Sequence, residues 1–409
     1  MPSMRTLYCY QQSNSKKMAS LTKTQVLILA TTAGIAVANV YYSQPIVNAI
    51  ALHFHTTAAK TGIIAVLSQI GYGIGLFFLT PVGDMVERKK LILYLQVGLI
   101  ISLLLVAFSP SLVILYFASL LIGVFSVAAQ VILPMAATLA QGNRGKIVAQ
   151  IFTGLLIGIL VARVFSGFVT AYLGWQYVYV ISAAMVMGTA VFMQSDFPSI
   201  PAQFKGSYTG LLQSTIFQLS RFSLLRRTAL TGMLAFGTLS AFWVTLTFYL
   251  SDRPFQYSAS TIGMFGLLAA AGALAAPIFG KMADKGSPSR SLVFSTILTL
   301  VSILILKVFP GSVTAIWATV ILMDIGIQAT QVTNIALIYS LDEKANSRIN
   351  TIYMTSYFIG GAIGSFAAIQ LFNKGGWAWS TSFMLVLAVL AIINVGTMKQ
   401  SNKTKVSLA

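Results

Sequence analysis

The chain has 409 residues, 57% of them hydrophobic and 8% charged, whereas a soluble domain carries about 25% Asp, Glu, Lys and Arg. That composition excludes a water-soluble fold. With 26 Lys and Arg against 8 Asp and Glu the formal charge is +18, yet the basic residues lie in short segments between apolar stretches, where they orient a membrane protein and do not form a nucleic-acid surface.

Windows of about 20 apolar residues mark membrane-crossing helices. Twelve are read, at 25–52, 61–82, 91–109, 112–139, 147–172, 177–193, 228–251, 260–280, 291–309, 312–339, 350–372 and 378–397. They give an N-terminal tail over 1–24, a six-helix half over 25–193, a linker over 194–227, a second six-helix half over 228–397 and a tail over 398–409. The first window is too long for a signal-peptide core and lacks a small-residue cleavage site, so the tail is expected to be retained. Cys9 is the single cysteine, so neither a disulfide nor a thiolate metal site can form within the chain.

Span one carries Asn39, Tyr42 and Gln44 and ends at His53 and His55, where no acid or cysteine completes a metal-ligand set. Span two carries Gln69 and Tyr72, and the loop after it holds Asp84, Arg88, Lys89 and Lys90. Gln130 lies in span four and Arg163 in span five. The linker opens with Pro198 and Pro201. It continues with Leu212, Phe217, Leu219 and Phe222 near helical spacing beside Arg221, Arg226 and Arg227, which predicts a surface helix on the anionic cytoplasmic leaflet. Trp243 and Tyr249 in span seven are weaker cavity candidates, since membrane aromatics usually pack or anchor. The loop after span eight holds Asp284 and Lys285, and span ten carries Asp324, Gln328, Gln331 and Asn334 along one stripe. The spacing i, i+4, i+7 puts the first three on one helical face, and a face so polar in an apolar helix lines water or substrate or bonds a neighbouring helix.

Asp324 and Arg163 are the acidic and the basic residue placed deep in the membrane. A charge at the bilayer centre costs about 2.5 to 3.5 kcal/mol on insertion scales, so each is expected to face a cavity or a partner. Counting about 1.5 Å per residue from the outer helix ends puts Arg163 roughly 14 Å and Asp324 roughly 18 Å deep, within one helical turn of each other. The two are therefore expected to meet across a central interface, either as a proton-linked switch or as a pair that only locks two helices. Orientation follows from charge. The odd-numbered loops hold only Lys60, Arg253, Lys307 and Lys374, and every other one of the 26 basic residues except Arg163 lies at a terminus or in an even-numbered loop. Both termini are expected to be cytoplasmic.

The chain also repeats. TPVGDMVERKK around Asp84 matches GKMADKGSPSR around Asp284, and IFTGLLIGILVARVFSGF from Ile151 aligns with YMTSYFIGGAIGSFAAIQ from Tyr353. The second match pairs Thr153 with Thr355, Gly158 with Gly360 and Gly174-Trp175 with Gly376-Trp377. The two charges break the repeat: Arg163 aligns with Ser365 and Asp324 with Gly123. The scaffold is read as an all-α membrane protein of twelve helices in two pseudo-symmetric halves, with a site at their interface.

At these residues the sequence resembles the major facilitator superfamily. Asp84, Arg88 and Lys89 match the signature of the loop after span two, with Thr80, Met85 and Glu87 at three other motif positions. Gly280, Asp284 and Lys285 form the second copy. Asn39, Tyr41, Tyr42, Gln44 and Pro45 form an NxYYxQP segment, by which the chain looks most like bacterial efflux permeases that also carry an Arg in span five. The sequence SGF follows Arg163 in place of the family's glycine-proline antiporter signature, and Ser119 stands at the span-four Arg position. The resemblance implies conformational gating by Asp84, Arg88, Lys89, Asp284 and Lys285, with Asp84 facing the start of span eleven near Arg348 and Asp284 facing span five near Lys146.

The chain has no Walker loop, zinc-hydrolase signature or GxSxG, and so carries no ATP-driven, cofactor or enzyme reading. The expectation is a monomeric secondary transporter of the bacterial inner membrane. The resemblance favours proton-coupled efflux of a small organic molecule; facilitated diffusion or proton symport of a small polar solute is the other reading. Asp324 and Arg163 are the expected coupling charges, and the cavity is expected to be lined by Asn39, Tyr42, Gln44, Gln69, Tyr72, Gln130, Gln328, Gln331 and Asn334.

Overall fold

A computed structural model describes residues 21–140, 143–197, 206–270, 272, 274, 288–342 and 345–406. Among these residues the regular structure is helical, with no strand. Nine helices are long and apolar enough to cross a membrane, and a bent pair makes a further crossing. One of the nine reverses direction at its middle and so crosses twice. A shorter apolar helix, Ala259–Leu268, begins the span predicted over 260–280 and runs into residues outside the described set. The arrangement is consistent with twelve crossings.

The bent pair is α1, Lys23–Ala38, and α2, Ser43–His53, which meet at 43°. Thr22 and Gln25 close a capping box on α1. The bend falls on the NxYYxQP segment. Pro45 lies in the first turn of α2, where its missing N–H removes no helical bond, so the helix restarts there. Next come α3, Ala58–Phe78, the single turn α4, Val82–Met85, and α5, Arg88–Ala107. The fourth crossing is made of α6, Leu112–Phe125, and α7, Ala128–Leu139, which contains Pro134. Then follow α8, Arg144–Tyr172, and α9, Trp175–Asp196.

The connecting segment contains α10, Tyr208–Arg221, capped by the Ser207 hydroxyl. After it come α11, Ser223–Ser251; α12, Ala259–Leu268; α13, Pro288–Val308; and α14, Val313–Tyr339. The last element, α15, Asn346–Val406, folds back at Gly375 and Gly376. Gly376 has φ 63° and ψ −156°, a conformation open in practice only to glycine.

The sequence repeat has a packing cause. A Cβ on Gly34 would strike the Gly154 carbonyl and one on Gly158 would strike the Gly34 backbone, so α1 and α8 touch backbone to backbone. In the second half, Gly360 and Gly364 press on Met233 and Gly237 in the same way, joining α15 to α11. Small residues let membrane helices approach closely enough for dispersion to hold them. The perimeter is apolar and exposed, as at Phe117, Val191 and Ile393, as lipid requires.

The two ends of the bundle differ. Arg88, Lys89, Arg221, Arg226 and Arg227 mark a basic end; His53, Lys60, Arg253 and Lys307 lie at the far end. Near the far end a buried cluster crosses the seam between the halves, with Val47, Ala59 and Val66 from one and Val244, Phe248, Ala362 and Ile369 from the other. The backbones of α8 and α12 also meet there, because Gly167 and Gly263 leave no room for a side chain between them and Ala259 or Arg163.

Candidate functional site

A central cavity lies between the halves, with walls from α1, α2, α3, α7, α8, α11, α14 and the first part of α15. It holds about 850 Å³ not filled by atoms, its mouth included, of which about 70 Å³ can take the centre of a water molecule. Arg163, Asp324, Tyr41, Gln44 and Tyr72 are buried, whereas Gln130, Gln328, Gln331 and Phe152, nearer the basic end, are half-buried. The cavity is therefore sealed toward the far end and grades toward solvent at the basic end.

Arg163 is 4% exposed. Its Nε donates to Gln44 Oε1 at 3.0 Å, and its guanidinium carbon lies 4.0 Å from the centroid of the Trp243 ring and 5.3 Å from that of Tyr41. A desolvated guanidinium over two aromatic faces is stabilised by cation–π attraction of up to about 2 kcal/mol. Gly266 makes the room, since a Cβ there would come within 3.0 Å of the Arg163 Cβ. Asp324 is 5% exposed and its Oδ2 has no hydrogen-bond partner among the described residues. Gly272 lies against it, because a Cβ there would come within 2.9 Å of the Asp324 Cβ.

The two charges face one cavity without forming an ion pair. The ion pairs within 4.0 Å among the described residues include Arg88–Asp84, Lys90–Glu87 and Arg221–Asp342, but not Arg163–Asp324. Both residues line the same cavity, but Gln44 and the two rings hold the guanidinium in place. The cavity thus presents a fixed cation at one place and a carboxyl with an unengaged oxygen at another.

The remaining lining is amphipathic. Gln44, Gln130, Gln328 and Gln331 supply amides, and Gln130 Nε2 donates to the Tyr72 hydroxyl at 3.5 Å. Phe236 stacks on Tyr357 with ring centroids 4.1 Å apart, and Tyr72 lies 4.2 Å from Phe358.

Four expected lining residues do not line it. Asn39 donates to the Ile35 carbonyl and accepts from Ser182, tying α1 to α9. Tyr42 packs against Phe165 with centroids 5.4 Å apart. Gln69 bridges the halves, donating to Ser240 at 3.3 Å and accepting from Ser365 at 3.5 Å. Asn334 donates to the Thr228 carbonyl and the Tyr353 hydroxyl. For Asn39, Gln69 and Asn334 a polar group in a span is used for helix-to-helix bonding, and for Tyr42 a ring is used for packing, instead of facing the cavity. Tyr249 stacks on Trp377 near the far end and donates to the Pro310 carbonyl.

Of the expected gating residues, Asp84, Arg88 and Lys89 make the contacts seen here within their own half. Asp84 pairs with Arg88 at 3.0 Å, and Arg88 also donates to the carbonyls of Gly83 and Pro134 and to Thr138. Lys89 donates to the Gln194 and Phe197 carbonyls at the end of α9, where a cation complements the helix dipole. Asp284 and Lys285 lie outside the described residues. Sequence reasoning missed the aromatic wall of Phe236, Tyr357 and Phe358 and ranked Trp243 low. Only the neighbouring glycines, Gly360 and Gly361, mark that part of α15 as closely approached.

Comparison with known proteins agrees with this architecture. The family model described as Major Facilitator Superfamily matches residues 29–341 and 228–406. The chain is 36% identical over 382 residues to "Uncharacterized transporter YgaY" of Escherichia coli O157:H7, covering 93% of this chain and 96% of that one. It is 26% identical over 352 residues to "Probable transporter SCO4007" of Streptomyces coelicolor, covering 86% and 82%. In fold it is similar to the nucleoside transporter NupG, with TM-score 0.73 at 13% identity over 92% of this chain and 99% of that one. It is similar also to an inward-facing bacterial homolog of the human lysosomal transporter Spinster, with TM-score 0.71 at 13% identity over 91% and 95%. The chain belongs to the Major Facilitator Superfamily and is a multi-pass membrane transporter of small molecules, not an enzyme.

Proposed function

We propose that the chain exports a small organic molecule in exchange for protons, by alternating access of the central cavity. One observation carries the reading: the cavity contains a buried carboxyl, Asp324, whose Oδ2 has no hydrogen-bond partner among the described residues, together with an Arg163 already held by Gln44 and two aromatic rings. A carboxyl placed so can take a proton when the cavity faces one side and give it up when the cavity faces the other, without dismantling a salt bridge. Arg163 then offers its remaining N–H groups to a polar or anionic group of the substrate, and Tyr41, Trp243, Tyr357 and Phe236 offer apolar surface. The domain limits 25–193, 194–227 and 228–397 form the working unit. The chain acts as a monomer in the bacterial inner membrane with both termini cytoplasmic, the sense in which the basic end meets the cytoplasm.

The four lining glutamines favour a second reading, in which a small polar solute such as a sugar or metabolite moves by facilitated diffusion or with protons. Proteoliposomes with an imposed pH gradient, scored against sugars, amino acids and cationic dyes, separate the two. Export predicts accumulation against the substrate gradient when protons flow the other way. Movement that follows the substrate gradient at every pH difference overturns proton coupling.

A further inference from the structure

A second pocket lies at the basic end, outside the central cavity, where α10 turns into α11 beside α13, α14 and the end of α15. Its rim carries three guanidinium groups, Arg221, Arg226 and Arg227, and its floor is apolar, with Leu292, Leu337 and Val395. Each guanidinium is fixed through Nη1. Arg221 pairs with Asp342 at 2.7 Å; Arg226 donates to the Leu219 and Ser220 carbonyls at 2.5 and 3.1 Å; Arg227 donates to Asn394 Oδ1 and Thr397 Oγ1 at 3.2 and 2.8 Å. A guanidinium has five N–H donors, so anchoring one corner orients the others. Among the described residues three oriented cations and one carboxylate, Asp342, leave a net positive site.

The surroundings identify what such a site meets. Helix α10 buries Leu211, Thr215 and Gln218 against the protein but leaves Ile216 and Phe217 53% and 61% exposed, one turn before Arg221. Exposed apolar side chains next to arginines place a helix in the boundary between headgroups and acyl chains. The pocket mouth is therefore at headgroup level, and its floor is formed by the buried Leu292 and Val395 with the half-buried Leu337. A free phosphate compound would leave that floor unused.

We propose that this pocket binds the phosphate of an acidic phospholipid, with the three arginines on the headgroup and the glycerol and first acyl carbons on Leu292, Leu337 and Val395. Basic pockets between membrane helices bind such headgroups, and Arg recognises phosphate through paired N–H bonds. The bound lipid would fasten the connecting segment to the second half. This site is independent of the transported molecule.

The test uses the full chain in detergent, with native mass spectrometry and thermal melting in the presence of phosphatidylglycerol, phosphatidylcholine or inorganic phosphate. The expected result is retention of phosphatidylglycerol and a melting shift of several degrees, with neither from phosphatidylcholine or phosphate alone. R226Q/R227Q should lower retention at least fivefold, while K60Q at the far end should retain lipid fully. L337W, which fills the floor and keeps every arginine, provides a second reading should the double variant fold poorly, and it should also lose the lipid. Undiminished retention in L337W or in folded R226Q/R227Q, or an equal shift with phosphatidylcholine, overturns the proposal. A shift from inorganic phosphate equal to that from phosphatidylglycerol overturns the assignment to lipid.

Discussion

Asp324→Asn is the most direct perturbation of the proposed coupling. Asparagine keeps the size and shape of the side chain but cannot carry a proton on and off. Among the described residues lining the cavity Asp324 is the one acid, so coupling through this carboxyl moves at most one proton per cycle. One proton per substrate is worth about 1.4 kcal/mol per pH unit, which sustains about a tenfold concentration ratio. In proteoliposomes the native chain should therefore reach up to about tenfold accumulation at a difference of one pH unit. The variant should equalise substrate across the membrane and still exchange labelled for unlabelled substrate. The fold should tolerate the change within about 1 kcal/mol, since it exchanges an oxygen that has no partner among the described residues for an amide nitrogen of similar size and leaves no cavity. Gradient-driven accumulation by Asp324→Asn would refute the reasoning. Loss of exchange as well in a folded variant would move Asp324 from coupling to substrate binding.

Arg163→Lys keeps the charge but loses the Nε bond to Gln44 and the planar stack on Trp243; half-saturation for substrate should rise about tenfold, read from initial rates, with the pH response intact. Trp243→Phe keeps a ring and should raise it less than Trp243→Ala, and equal effects would remove the stacking argument. Asp84→Ala removes the ion pair with Arg88 at the basic end and should change the labelling rate of a cysteine placed at Phe152 in a Cys9→Ser background, without changing substrate affinity. An unchanged rate would leave Asp84 a local tie within its half.

What was legible in the sequence follows from the cost of each feature in a membrane. Burying a charge is expensive, so Arg163 and Asp324 stood out, and both do face the cavity. Backbone contact demands glycine in both halves, so the match of Gly158 with Gly360 reported two equivalent helix contacts. What was not legible is direction around a helix axis. Rise per residue gives depth but does not say that Gln44 and Trp243 would occupy the guanidinium. The stripe on α14 shows the same limit. At about 100° per residue Gln328 and Gln331 fall within about 40° of Asp324, whereas Asn334 is turned by about 80°, enough to face Thr228 and Tyr353 instead of the cavity. The bend at NxYYxQP was likewise hidden, because the apolar window runs through it without a break.

Arg163 belongs to the cavity and to the seam between the halves at once, and this links binding to movement. Within each half, helices meet through glycine at backbone contact. Between the halves most ties are side chains, such as the Val47–Phe248 cluster and the Gln69 bonds to Ser240 and Ser365. These can part at small cost, but the contact of α8 with α12 is made by backbone. A Cβ on Gly263 would lie 2.5 Å from the Arg163 carbonyl oxygen, well inside any contact a real side chain makes. Gly263→Ala must therefore push α8 away from α12, and a packed interface answers such overfilling with a strain of about 1 to 3 kcal/mol. If the seam closes only when the cavity faces the basic end, that strain falls on this state alone and shifts the balance toward the other by about 5- to 150-fold. A cysteine at Asn48, beside the far end of the seam, should then label faster with a membrane-impermeant reagent, and one at Phe152 more slowly. Equal labelling at both positions in a folded Gly263→Ala variant would mean that α8 and α12 stay in contact throughout the cycle, and the moving seam would have to be sought at α3 and α15.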